Sequence, residues 1–237
     1  MRAWQALCLL QKALYNQSFA IWPMKKVEIA VVDYGMGNLR SVSKAIEHVA
    51  PNKNVVVTSD AAVIDSADYV VFPGQGAMPD CMRELEARGL RSAVINATKT
   101  KPFLGICIGL QMLFERSEEG DAAGLGLFKG TVKKFVAENM HDAAGKKLKV
   151  PHMGWNQVHQ QQAHALWANI ADESRFYYVH SYYVEPLQAN IHAASTAYPT
   201  PFTCAIAYQN LFAVQFHPEK SAQAGLQLLR NFVHWKP

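Results

Sequence analysis

The sequence predicts an α/β fold with a doubly wound, mainly parallel central sheet. Three observations carry this: apolar strand-like runs alternate with helical patterns from residue 27 onward, half of the 237 residues are hydrophobic, and only 18% are charged. Alternation of this kind marks successive βαβ units, and a chain this apolar buries a sizeable core. The first run, VEIAVVD (27–33), reads as a buried strand. Asn38 stands where a helix N-cap is wanted, ahead of an inner face made by Leu39, Val42, Ala45, Ile46 and Val49, and Pro51 ends that helix. NVVVTS (54–59) and DYVVFP (68–73) are the next strands, followed by helices from about Pro79 and up to about Thr98. PFLGIC (102–107) is very apolar and is expected near the centre of the sheet. Beyond Gly130 the texture shifts to short β-rich segments: GTVKKF (130–135), a strand around Trp155, SRFYYVHSYYV (174–184), IHAAST (191–196) and a hairpin over 202–217 turning at Gln209-Asn210. A helix over about 221–233, with Leu226, Leu229, Arg230 and Val233 at helical spacing, closes the chain.

Composition narrows the function. The formal charge is 23 basic minus 19 acidic residues, or +4, and Arg2 and Lys12 of the acid-free first 23 residues supply half of it. From Met24 onward the balance is 21 minus 19, or +2, which attracts no polyanion strongly. Cys8, Cys81, Cys107 and Cys204 form no C-x-x-C pair, which argues against a zinc ribbon, a thioredoxin-type site or a disulfide framework and for a reducing cytosol. No run reaches the roughly 18 apolar residues a membrane span needs. In residues 1–23, Trp4, Leu7, Leu10, Leu14 and Tyr15 make an amphipathic helix pattern at best, and Gln5, Gln11 and Lys12 interrupt the apolar centre a signal peptide requires. The expectation is an extension or an upstream start over residues 1–23, then one domain over residues 24–237 without repeats or linkers.

The chemistry concentrates in three segments. Gly105-Ile106-Cys107-Ile108-Gly109 follows an apolar strand and precedes a helical run through Leu110, Met112, Leu113 and Phe114. An isolated cysteine there would be a space-filling core residue, but glycines on both flanks are what the sharp turn of a nucleophile elbow requires. A helix N-terminus at Cys107 would favour the thiolate. His217 ends the strand over 211–216 and is followed by Pro218 and Glu219; in extended backbone residues two apart point the same way, which brings the carboxylate to the imidazole. His-Pro also serves as a plain strand terminator, yet with Cys107 present it reads as a Cys107–His217–Glu219 triad. Oxyanion donors would be the amide of Ile108 and that of Gln75 or Gly76 in Pro73-Gly74-Gln75-Gly76, a segment that alone is merely a turn. Gly35-Met36-Gly37 lacks the third glycine of a dinucleotide fingerprint, Arg40 standing in its place, and reads as a tight turn. His152, His159 and His164 have spacings that suit no metal pair. His180 reads as a structural histidine, with substitute base as its other reading, and Trp155 and the tyrosines read as core.

Together, VVDYGMGNLRSV (31–42), PGQGAM (73–78), GICIGLQ (105–111), VPHMGWN (150–156), YVHSYY (178–183) and QFHPEKS (215–221) resemble class I, triad-type glutamine amidotransferases. More narrowly, they resemble the glutaminase subunits of imidazole glycerol phosphate synthases in histidine biosynthesis. The resemblance runs from about residue 27 to the C-terminus. It implies a flavodoxin-like sheet with helices on both faces and an antiparallel β-rich portion in the C-terminal half. It also implies Cys107 as nucleophile, His217 as general base and acid, Glu219 as orienter, and glutamine binding by Gln111 and the loop of Gly74, Gln75 and Gly76. The implied reaction releases ammonia and glutamate through a cysteinyl thioester, without metal or organic cofactor. Ammonia would pass to a separate (β/α)8 cyclase subunit that forms imidazole glycerol phosphate and AICAR, because a chain ending at Pro237 has no room for a barrel of about 250 residues. A cytoplasmic heterodimer is therefore expected, with Asn38, Arg40, Trp155 and Lys220 at its interface. The competing readings are a paralogue feeding amidino-sugar synthesis for surface polysaccharide, a free-standing γ-glutamyl cysteine hydrolase, and a catalytically silent flavodoxin-like binding protein.

Overall fold

Runs of β-branched and aromatic residues without polar interruption can be satisfied only inside a sheet covered on both sides. In a computed structural model, which describes residues 26–136, 140, 141, 145 and 147–237, they are. The expectations for residues 1–23 lie outside the described residues. In chain order the first half contains β1 (Ile29–Val32), α1 (Leu39–Val49), β2 (Val55–Thr58), α2 (Ala61–Ser66), β3 (Tyr69–Gly74), α3 (Met78–Ala87), α4 (Arg91–Thr100), β4 (Phe103–Cys107) and the single turn α5 (Ile108–Gln111). The second half contains β5 (Phe114–Ser117), β6 (Ala122–Ala123), β7 (Phe128–Lys134), β8 (His152–Gln157), β9 (His159–Gln160), β10 (Arg175–His180), β11 (Tyr182–Pro186), β12 (His192–Ala197), β13 (Pro201–Tyr208), β14 (Leu211–Val214) and α6 (Ala222–Phe232).

The main sheet has the order β2-β1-β3-β4-β14-β13-β11-β7-β5-β6. Its first five strands are parallel, and every residue of β1, β3, β4 and β14 is buried. Antiparallel pairing begins at β13, where the hairpin turning at Gln209-Asn210 returns the chain, and continues through β11 and β7. β12 pairs with β13 and β9, and β8 with β10 forms a separate antiparallel ribbon. Against the parallel part, α1 packs on α6 and α2 on α4. Tyr34, Phe72 and Phe103 run as a chain of ring contacts at 5.4 and 5.9 Å through one connected core.

Several expectations need correcting. The segment 174–184 is two strands, because the chain breaks at Ser181: β10 joins the ribbon and β11 joins the main sheet. Asn38 occupies the N-cap position of α1 but makes no capping hydrogen bond with its side chain. The buried face of α6 is Gly225, Leu228, Leu229 and Phe232; Arg230 is exposed and Leu226 only partly covered. The six-residue α2 has no counterpart in the sequence reading, since it is too short to display a period, although Asp60 caps it by accepting from the Ala62 amide at 2.8 Å.

Candidate active site

Three adjacent parallel strands end at one edge of the sheet, the edge where α/β folds gather their ligands. β3 ends in Pro73-Gly74 and leads into Gln75-Gly76, β4 ends in Cys107, and β14 leads through Gln215 and Phe216 to His217. Gly74 lies opposite Cys107, and Ile106 opposite Val214. The register itself therefore sets loop, thiol and imidazole side by side.

Glycine is required where backbones nearly touch. A Cβ on Gly109 would overlap the carbonyl oxygen of Phe72, and one on Gly74 would stand 2.6 Å from the Tyr34 hydroxyl. That hydroxyl donates to the Pro73 carbonyl at 2.9 Å and so ties β1 to the loop. Cys107 has φ 57° and ψ −111°, a conformation that costs a non-glycine residue about 1–3 kcal/mol and that places its side chain at the turn's apex. The helical run expected through Phe114 stops at Gln111, because Phe114 enters β5 beside β7. One turn of helix carries little macrodipole, so stabilising a thiolate falls to the side chains around the sulfur.

The imidazole of His217 is buried, with Nδ1 2.9 Å from Glu219 Oε1, itself on a buried carboxylate. A continuing strand does not make this pair, as the sequence reading supposed. β14 stops at Val214, and Pro218–Lys220 form a 3-10 turn that brings Glu219 back to the ring. Ser221 fixes the turn: its hydroxyl donates to the His217 carbonyl at 2.6 Å and accepts from the Tyr177 amide at 2.9 Å. Burial favours the neutral imidazole, but Cys107 and then Glu219 outweigh it and raise His217 to about 10. Nε2 of the ring is buried and has no hydrogen-bond partner among the described residues.

Cys107 and His217 open onto a pocket of about 280 Å³, lined also by Gln75, Gly76, Ile108, Gln111, Glu119, His180 and Tyr182. Gly74 lies buried behind this wall and makes room for Tyr34 and Ile108. Two further residues were missed. Glu119 carries no local sequence signal, but its carboxylate accepts from the Met78 amide at 2.8 Å and caps α3, whose own N-cap residue, Ala77, cannot. Gln215 is fully buried and donates to the Cys107 sulfur at 3.8 Å. Its place two residues before His217, in the segment leading out of β14, was the available signal.

His180 is not free to act as a base. Its Nδ1 lies 2.8 Å from the Tyr182 carbonyl, which can only accept, so Nδ1 carries the proton. Its Nε2 then accepts from His152 Nδ1 at 2.9 Å, and His152 Nε2 from the Asn156 amide at 3.2 Å. Burial holds both rings neutral, pushing His152 down to about 4 and, with the neighbouring His152, His180 down to about 3. A histidine depressed in the folded state contributes stability that is complete above its unfolded value near 6.5 and drains as pH falls toward the folded value. Between pH 6.5 and 5 each ring should cost the fold about 2 kcal/mol. Equilibrium denaturation should show that loss about 2 kcal/mol smaller in His180→Asn; equal pH slopes would contradict it.

The remaining candidates stand apart from the pocket. His159 is 3.8 Å from Glu173, and His164 accepts from the Leu166 amide at 3.1 Å. Gly35, at φ 85°, donates to Asp33 Oδ1 at 2.8 Å in a tight turn. Trp155 is not core: β8 alternates sides, burying His152 and leaving Trp155 48% exposed. Trp155 packs edge-on to Tyr177, and the Lys220 ammonium lies 6.0 Å from that same ring, so these two residues share one face. Arg40 is exposed and Asn38 half-buried at the start of α1.

Residues 30–235 match the family glutamine amidotransferase class-I. The chain is 66% identical over 209 residues to the imidazole glycerol phosphate synthase subunit HisH of Dechloromonas aromatica (strain RCB), covering 88% of this chain and 97% of that one. The subunit of the same name from Nitrosospira multiformis is 65% identical over 210 residues, covering 89% and 99%. Among solved structures, a glutamine amidotransferase aligns with a TM-score of 0.65 at 13% identity, covering 87% of this chain and 97% of that one. A putative GMP synthase component from Thermoplasma acidophilum aligns with a TM-score of 0.64 at 19% identity, covering 88% and 93%. At those identities the structural likeness speaks for the fold.

Proposed function

The chain belongs to the class-I glutamine amidotransferase family, as a glutamine-hydrolysing enzyme of the HisH type, and on that footing we propose that Cys107, His217 and Glu219 are its catalytic triad. The observation that carries this reading is the buried 2.9 Å His217–Glu219 pair set beside a cysteine held at positive φ. The Cys107 thiolate attacks the γ-carboxamide carbon of glutamine. The resulting oxyanion meets the amide of Ile108 and that of Gln75 or Gly76. His217, protonated and oriented through Nδ1 by Glu219, gives its Nε2 proton to the departing nitrogen, and ammonia leaves. Water, relieved of a proton by the now neutral imidazole, hydrolyses the γ-glutamyl thioester; glutamate departs and the thiolate–imidazolium pair is restored. Gln111 Oε1 is buried without a partner and Glu119 stands on the same wall, so both offer acceptors for the α-ammonium of the substrate. These steps draw only on side chains, backbone amides and water.

The relatives are named as subunits of a synthase, and the ammonia is proposed to pass to a separate (β/α)8 cyclase subunit that forms imidazole glycerol phosphate and AICAR. That subunit is proposed to dock on the face bearing Trp155 and Lys220, with Asn38 and Arg40 at the start of α1 as further candidate contacts. Residues 24–237 are taken as the glutaminase domain and the cytosol as its compartment, which suits three unpaired thiols at Cys81, Cys107 and Cys204. No helix among the described residues is long and apolar enough to cross a membrane.

Glutaminase assays with and without the cyclase and its nucleotide ligand test the reading. Near silence alone and strong turnover in the complex are expected, together with rescue of a histidine auxotroph lacking this subunit. Failure to rescue despite good expression would favour the amidino-sugar paralogue, and full turnover without a partner a free-standing hydrolase.

A further inference from the structure

The Cys107 sulfur and the Gln111 side chain, one the proposed nucleophile and the other on the substrate wall, are joined by a single buried side chain. Gln111 Nε2 lies 3.0 Å from the Tyr182 carbonyl and 3.1 Å from Gln215 Oε1. A backbone carbonyl can only accept, so Gln111 must present its NH₂ there, which leaves Oε1 as its free polar atom. With Gln215 Oε1 thus engaged, the Gln215 NH₂ faces the sulfur, 3.8 Å away. Turning the Gln215 amide over would set two NH₂ groups against each other and an oxygen against the thiolate. Its orientation is therefore forced from both ends. The backbone beneath is pinned as well, the Gln215 amide donating to the Cys204 carbonyl at 2.8 Å.

We propose that Gln215 is a positioning residue of the glutaminase reaction: one amide aims the Cys107 sulfur and orients Gln111, so nucleophile and substrate wall keep a common register. This rests on the reading of Cys107 as the nucleophile. An amide suits the task because it donates to a thiolate without being able to take the proton that His217 must hold. The tetrahedral intermediate forms at the carbon this register presents, so a small displacement of either partner lowers the rate.

The test is Gln215→Met, close in volume but with no N–H to donate to the sulfur, in the full chain, with Gln215→Leu as a second variant should the first unfold. Two readouts are taken: the rate of Cys107 alkylation by iodoacetamide at pH 7.5, mapped by peptide mass spectrometry, and kcat and KM for glutamine with the cyclase bound. The expected result is about tenfold slower alkylation, kcat lower by about tenfold or more, and KM raised severalfold. The buried Cys81 and Cys204 serve as an internal folding control and should stay unlabelled. Wild-type alkylation and kinetics in a variant that still protects Cys81 and Cys204 would overturn the proposal. So would a raised KM with unchanged alkylation, since the amide would then serve Gln111 alone. Glutamine hydrolysis persisting in Cys107→Ala would instead remove the nucleophile assignment, a separate failure.

Discussion

Cys107→Ala is expected to lower ammonia release from glutamine by about four orders of magnitude or more in the presence of the cyclase subunit, because no other group can form the thioester. The loss should come with little change in thermal midpoint. The cost of the turn at Cys107 lies in its backbone, at φ 57°, and alanine has the same Cβ as cysteine. Glycine removes that constraint, so Cys107→Gly should be as inactive as the alanine variant yet more stable than it by about 1 kcal/mol. A cysteine that merely filled space would behave differently: alanine would leave turnover intact and cost stability through the cavity.

Gly109→Ala is expected to be the most damaging single-methyl change at the site. Its Cβ would overlap the Phe72 carbonyl, a backbone atom of β3 that cannot swing aside, so α5 and β3 must move apart. That movement carries the Gly74 loop away from Cys107, its register partner. A destabilisation of about 3 kcal/mol is expected from denaturant unfolding, with glutaminase activity reduced by about a hundredfold or more. Gly89→Ala is the comparison. Gly89 has φ +66° but nothing within 4 Å of an added Cβ, so only backbone strain of about 1 kcal/mol should appear, with activity retained. Equal effects at the two positions would contradict close packing as the reason for Gly109.

What could be read in advance follows from how local each signal is. β1, β3 and β4 were legible because strands buried on both faces must be apolar at every position, and Gly105-Ile106-Cys107-Ile108-Gly109 because a turn without room for Cβ atoms shows its glycines in sequence. His217 and Glu219 were paired correctly for a partly wrong reason: the 3-10 turn at Pro218–Lys220, and not an extended strand, brings them together. Other features depend on partners distant in sequence. Trp155 looked like core because the ribbon of β8 and β10 that turns it outward cannot be seen from residues 150–156 alone. Glu119 was hidden because its partner, the Met78 amide, lies 41 residues away. The break at Ser181 depends on β11 finding β7 in the main sheet, a pairing no local pattern announces.

The most direct measurement treats the full chain with a glutamine-like electrophile and maps the modified residue by peptide mass spectrometry, with and without competing glutamine. A hydrolase working through a cysteinyl thioester predicts one glutamine-protected adduct, on Cys107, that disappears in Cys107→Ala together with ammonia release. An adduct on another residue, or glutamine turnover that survives the loss of Cys107, would contradict it.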